Sequence, residues 1–190
     1  MYKRQLYRVT GGLSGPSVHR LALGPLSREA VTRWAGGTNA TSAPLYALTG
    51  GNPFFLSEVL ATPDGAVPGT VVDAVLSRVR RLEPPATRAL EQLAVVPAGI
   101  ELTLARRLLA DLTVLAEAER VGLVDVRPTA VGFRHELARR AVEGALSMTE
   151  RMRLHQTVLD ALLADDRADL ARVVHHAVGA GDDALSLIHI

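Results

Sequence analysis

Cysteine is absent from the 190 residues, so disulfide frameworks, thiolate nucleophiles and Cys-ligated zinc sites are excluded. Lysine occurs once, at Lys3. A phosphate loop of the G-x-x-x-x-G-K-[ST] kind is therefore impossible, and no Schiff-base lysine exists beyond that position. No apolar run approaches the ~18 residues of a membrane span. Met1–Gln5 is charged but has no apolar stretch behind it, which is not the pattern of a signal peptide, and the cytoplasm is the expected compartment. The formal charge of +1 gives no basis for tight, nonspecific nucleic-acid binding.

What is present is a chain that is 48% hydrophobic and 22% charged, the balance of one or two globular domains with real cores. Charge is uneven. Residues 1–63 carry Lys3, Arg4, Arg8, Arg20, Arg28 and Arg33 against Glu29 and Glu58, a net of +4, while residues 160–185 carry Arg167 and Arg172 against six Asp, a net of −4. Two solvated surfaces explain this as well as two partners do.

Helix signals begin at Ser27, an N-cap for Arg28–Trp34, with Leu26 and Val31 spaced as a hydrophobic staple. Gly36-Gly37 ends that helix, and a second is expected from Ser42 to Leu48. Asn52 as N-cap and Pro53 at the first helical position open a third, ending near Ala61. Residues 62–69 read as a linker. Beyond it Thr70 and Asp73 resemble a capping box, and Val71, Val75, Val79 and Leu82 recur on one helical face. Pro84-Pro85 open a helix that carries Leu90, Leu93 and Ala94 inward. A short helix at Leu102–Ala110 follows, then one from Asp111 to Gly122. Leu123–Val126 and Val131–Arg134 are expected to pair as a hairpin through Arg127–Ala130. A helix from His135 to Leu146 closes this group, in winged-helix-like order. Thr149–Ala164 and Arg167–Ala180 have the lengths of an αα-hairpin, the first unit of a repeat array.

Catalytic arrangements are scarce. His135-Glu136 is not followed by the second His of H-E-x-x-H, and Ser14 lacks nucleophile-elbow spacing because Pro16 intervenes. His175 and His176 are helix neighbours about 100° apart and are not expected to face one metal. His155 shares a face with Leu159 and Leu162, as a structural His or a ligand. Two places invite a functional reading. In Thr49–Phe55, paired glycines allow close approach to a flat ligand, and the Pro53 ring adjoins a helix N-terminus; the other reading is a plain helix–turn–helix corner. In Phe133–Leu137, a strand delivers His135 to the first turn of a helix, where it could meet a phosphate or merely cap.

The blocks Leu21–Ser27, Thr49-Gly50-Gly51-Asn52-Pro53-Phe54-Phe55-Leu56, Val67-Pro68-Gly69-Thr70-Val71 and Phe133-Arg134-His135-Glu136-Leu137-Ala138-Arg139 occur in this order in one family. Over residues 19–183 the chain resembles the large ATP-binding regulators of the LuxR family, transcription regulators built on a STAND-type AAA+ ATPase. The resemblance implies a mainly α fold: a helical lid over 21–62, a winged-helix-like domain with a short β-hairpin wing over 67–146, and a first TPR-like repeat over 147–183. Residues 1–20 would be the end of the ATPase core or a non-native tail, and 184–190 a non-native tail. It implies that Gly51, Asn52 and Pro53 pack on the adenine and that His135 senses a phosphate, although Glu136 stands where many relatives have Asp.

ATP or ADP would be bound in the full-length parent, with Mg²⁺ held by a core outside this chain. The expected partners in cis are that core and further helical repeats, with DNA reached only through a C-terminal domain and no membrane involved. The chain is thus expected to be a nucleotide-sensing regulatory segment that is not catalytic by itself, with no metal site of its own. The alternative is a free-standing winged-helix DNA-binding protein with Asp111–Val121 as recognition helix, an acidic element poorly suited to a phosphate-lined groove. A small helical enzyme lacks any catalytic set.

Overall fold

The computed structural model describes residues 23–37, 39–62, 66–165 and 168–182. The expectations for residues 1–20 and 184–190 lie outside them. The chain is mainly helical with a small three-stranded sheet.

Helix α1 (Arg28–Trp34) starts where Ser27 accepts a hydrogen bond from the Ala30 amide at 3.2 Å. Helix α2 (Asn39–Thr49) begins three residues before the expected Ser42 and runs through Pro44. Proline removes one intrahelical donor but does not end this helix, which packs on both α1 and a later element, so tertiary contact overrides the local breaker. Helix α3 (Pro53–Ala61) has the expected cap: Asn52 Oδ1 accepts from the amides of Phe54 and Phe55 at 3.0 and 3.5 Å.

Helix α4 (Gly69–Val79) is capped at Pro68 without a side-chain bond, so the expected capping box is not formed. Thr70 lies inside the first turn, and its hydroxyl donates to Glu58 on α3 instead, tying the two helices together. Val71, Val75 and Val79 are buried, as their spacing requires. Helix α5 (Pro84–Ala94) inserts Leu90, Leu93 and Ala94.

Strand β1 (Ile100–Glu101), helix α6 (Leu102–Leu108), a 3₁₀ turn (Leu112–Leu115) and helix α7 (Ala116–Arg120) come next. The helix expected from Asp111 is thus two short pieces; Asp111 does cap the first, through the Thr113 amide at 2.8 Å. Strands β2 (Val124–Val126) and β3 (Ala130–Phe133) form the expected antiparallel hairpin, with Val124 opposite Phe133 and Val126 opposite Val131. Strand β1 pairs with the other edge of β3, Ile100 opposite Val131. Its two residues are too short to show a period, and Gly99, at φ +80°, lets the chain graze Val131 and Gly132.

Helix α8 (Glu136–Ala145) packs against α2, α4 and α5. Helices α9 (Met148–Leu163) and α10 (Leu170–Ala180) pack on each other, capped by Ser147 and Asp169, and α9 also packs on α6. A continuous cluster of buried apolar side chains runs from Phe55 through α4, α5, the sheet and α8 to Ala177. No helix among the described residues is long and apolar enough to cross a membrane.

Candidate functional site

The corner between α2 and α3 is built by two left-handed glycines, Gly50 at φ +59° and Gly51 at φ +72°. Its backbone groups are satisfied locally. The Gly50 amide donates to Tyr46 O at 2.7 Å, Asn52 N to Thr49 O at 3.0 Å, and Leu26 N to Gly51 O at 2.8 Å. Thr49 is fully buried; its hydroxyl donates to Leu45 O at 2.8 Å and accepts from Gly51 N at 3.3 Å. Leu26, just ahead of the α1 N-cap, is thereby pinned to the corner, and a Cβ on Gly51 would sit 2.3 Å from Leu26 O.

The second block meets this corner from the far side of the chain. His135 occupies the N-cap position of α8, in extended backbone, yet its side chain makes no capping bond. Its ring lies against Gly50: a Cβ there would fall 2.6 Å from His135 Nδ1. Phe55, 3% exposed, presents its ring at 5.1 Å in an edge geometry. His135 Nδ1 is buried without a hydrogen-bond partner among the described residues. Burial, then the positive charge of Arg134, hold the imidazole below its ordinary pKa, with Asp125 pulling the other way. Arg134 is itself held by Asp125, through Nε at 3.0 Å and Nη2 at 2.8 Å. The imidazole also bonds the Thr49 backbone, its Nδ1 is enclosed against Gly50, and the same corner exposes Pro53 and the 43% exposed Phe54.

The four residues expected to act together are placed differently. Gly51 serves the turn and the pairing with Leu26, and the Asn52 side chain is occupied in capping. The α3 amides that an anion would need are already bonded to it, so the helix N-terminus beside Pro53 is closed. Pro53 is exposed at the first turn. The direct link to His135 runs through Gly50 and Phe55, which lie in the Thr49–Phe55 stretch but were not expected to contact the ligand; the glycine pair was the available signal, and no local pattern says which ring would fill the space it leaves.

A second cluster lies on the α9–α10 pair. One ring nitrogen from each of His155, His175 and His176 falls within 4.8 Å of the other two. The expected separation of about 100° holds for the Cβ directions of two helix neighbours. Ring nitrogens reach farther than Cβ directions, and with His155 on the facing helix the three come within 4.8 Å of one another.

No family model matches the sequence, and no curated protein does. Among solved structures, the fold is similar to that of a Signal Transduction ATPase with Numerous Domains (STAND) protein with a tetratricopeptide repeat sensor from Pyrococcus horikoshii, at a TM-score of 0.51 and 20% identity. The similarity covers 92% of this chain and 28% of that one, so the chain spans well under a third of the length of the protein it matches.

Proposed function

We propose that this chain is the nucleotide-sensing segment of an ATP-dependent transcription regulator of the STAND type, LuxR class. It would comprise the helical lid, a winged helix from α4 to α8, and a first TPR-like repeat formed by α9 and α10. The observation that carries the reading is the meeting of Gly50 with His135. Two blocks far apart in sequence, each named by the resemblance as nucleotide-contacting, converge on one spot. The fold similarity to a STAND protein supports the same reading.

In this proposal the Pro53 ring lies flat on the adenine of a bound nucleotide, and His135 donates a ring N–H to a phosphate oxygen. The phosphate-loop lysine, the Mg²⁺-binding acidic strand and the DNA-binding domain belong to segments outside these 190 residues. ADP clamps the lid and α8 against that core, and exchange for ATP releases them, a two-state equilibrium biased by differential contacts. The chain alone does not turn over ATP.

The test is made in the full-length protein. A charge-assisted hydrogen bond of about 1.5–3 kcal/mol corresponds to roughly tenfold to hundredfold in affinity. His135→Ala should weaken ADP by that factor and raise promoter output without inducer, whereas Pro53→Ala should weaken ADP and ATP alike. Unchanged ADP affinity and basal output for His135→Ala would reduce His135 to a packing residue. The DNA-binding alternative fares worse, because its recognition helix is broken and Glu117 is occupied by the Glu83 amide at 3.1 Å and by Arg120 at 3.3 Å. A sequence-selective gel shift at physiological salt would revive it.

A further inference from the structure

His155 on α9 and His175 and His176 on α10 form a knot of three imidazoles. Ring centroids are 5.5 Å apart for His155–His175, 5.0 Å for His155–His176 and 4.9 Å for His175–His176. His155 Nδ1 and His176 Nδ1 are 2.9 Å apart, and both residues are buried. Helix α10 makes room for this: a Cβ at Gly179 would fall 2.4 Å from His155 Nδ1, so the facing helix leaves its side chain out where the ring sits. A carboxylate is not hydrogen-bonded to any of the three rings among the described residues. What converges is a set of three imidazole nitrogens, two of them sharing a hydrogen bond whose proton a metal would displace, with no carboxylate bonded to the rings.

We infer that His155, His175 and His176 bind one borderline transition-metal dication, zinc in the first instance, cross-linking α9 to α10. Three neutral imidazoles are the donor set that such ions take and that Mg²⁺ and Ca²⁺, which need oxygen ligands, do not. Tetrahedral Zn–N bonds of about 2.0–2.1 Å place ligand nitrogens roughly 3.3 Å apart. The 2.9 Å pair has to open by a few tenths of an ångström, and His175, which is exposed, has to turn inward by χ rotation. His175 and His176 also line a groove with Gly99, Glu101, Asp169 and Arg172. Arg172 Nη1 is bonded to Glu101 at 2.9 Å, while its Nη2 is buried without a partner among the described residues. The fourth position would be taken by water or hydroxide, as in three-histidine zinc sites.

The experiment titrates the chelator-treated full chain with Zn²⁺ by calorimetry and with Co²⁺ by visible absorption. Wild type should bind one equivalent, and Co²⁺ should give the intense bands of a tetrahedral site. At a hundredfold excess over Kd, Zn²⁺ should raise Tm by roughly 5–10 °C, and Mg²⁺ should leave it unchanged. His175→Ala, at an exposed position that folding does not depend on, should lose at least tenfold in Zn²⁺ affinity and the tetrahedral Co²⁺ spectrum. His155→Gln tests the buried ligand, with circular dichroism confirming the helices. Absence of saturable one-to-one binding in wild type, or wild-type affinity in His175→Ala, overturns the proposal.

Discussion

At Gly50 two costs coincide. The backbone is left-handed, and the space where a Cβ would stand is filled by the His135 ring. Gly36 is the natural control, at φ +63° with nothing within 4 Å. Alanine at Gly36 should cost only the left-handed penalty of about 1–2 kcal/mol. Gly50→Ala should cost distinctly more, because the ring has to move as well. Denaturant midpoints of the two variants measure the difference, and equal losses would mean that the ring yields freely. Arg139 poses the opposite case, a charge that is 9% exposed. It reaches Glu136 at 2.7 and 2.8 Å, Glu143 at 2.7 Å and the Ala94 carbonyl, locking α8 onto the end of α5. Removing it leaves Glu143 partly buried without its ion pair and Glu136 with Arg140 alone. Arg139→Ala should therefore cost about 3–5 kcal/mol, while removing Arg107 from its half-exposed pair with Asp165 should cost ~0–1 kcal/mol.

Between elements, glycine separates packing from propensity. Gly144 is exposed near the end of α8, with nothing within 4 Å of an added Cβ. Alanine there should stabilise the protein by about 0.5–1 kcal/mol through helix propensity alone. Gly179 in α10 enjoys the same propensity gain, but its Cβ would enter the His155 ring. Gly179→Ala should destabilise, since a buried ring between packed helices has nowhere to go. Thermal unfolding of the two variants should shift in opposite directions; a rise in both would show that α9 and α10 pack less closely than 2.4 Å implies. The first four helices show the same precedence of packing, in the passage of α2 through Pro44 and the use of Thr70 to reach Glu58.

For the molecule as a whole, the histidines set the acid response. His135, His155 and His176 are all held below their ordinary pKa, first by burial and then by neighbouring positive charge, from Arg134 for His135, His175 for His155 and His155 for His176; His176 is brought down to about 3. Between that value and about 6.5 the unfolded chain binds protons that the native state refuses. Stability should thus be full above about pH 6.5 and fall as pH drops below it, before most carboxylates titrate. Denaturant midpoints at about pH 7.5 and 5, with chelator present, should show the loss. A flat profile across that interval would mean that the rings are hydrated in the native state.

Much of this architecture follows from local chemistry that needs no partner. Ser27, Asn52-Pro53, Asp111 and Ser147 start helices because their side chains or fixed φ satisfy amides a few residues away. Val71, Val75 and Val79 lie on one face because 3.6 residues make a turn. The β2–β3 hairpin closes through a loop short enough to be read directly. The absence of a phosphate loop is likewise a property of composition. Strand β1, the seat of His135 and the histidine knot were decided elsewhere. Each depends on a surface supplied by residues far along the chain: β3 for a two-residue strand, the empty side of Gly50 for His135, and the empty side of Gly179 for His155. A glycine's missing side chain creates a space, and only the packing of whole helices determines which ring fills it.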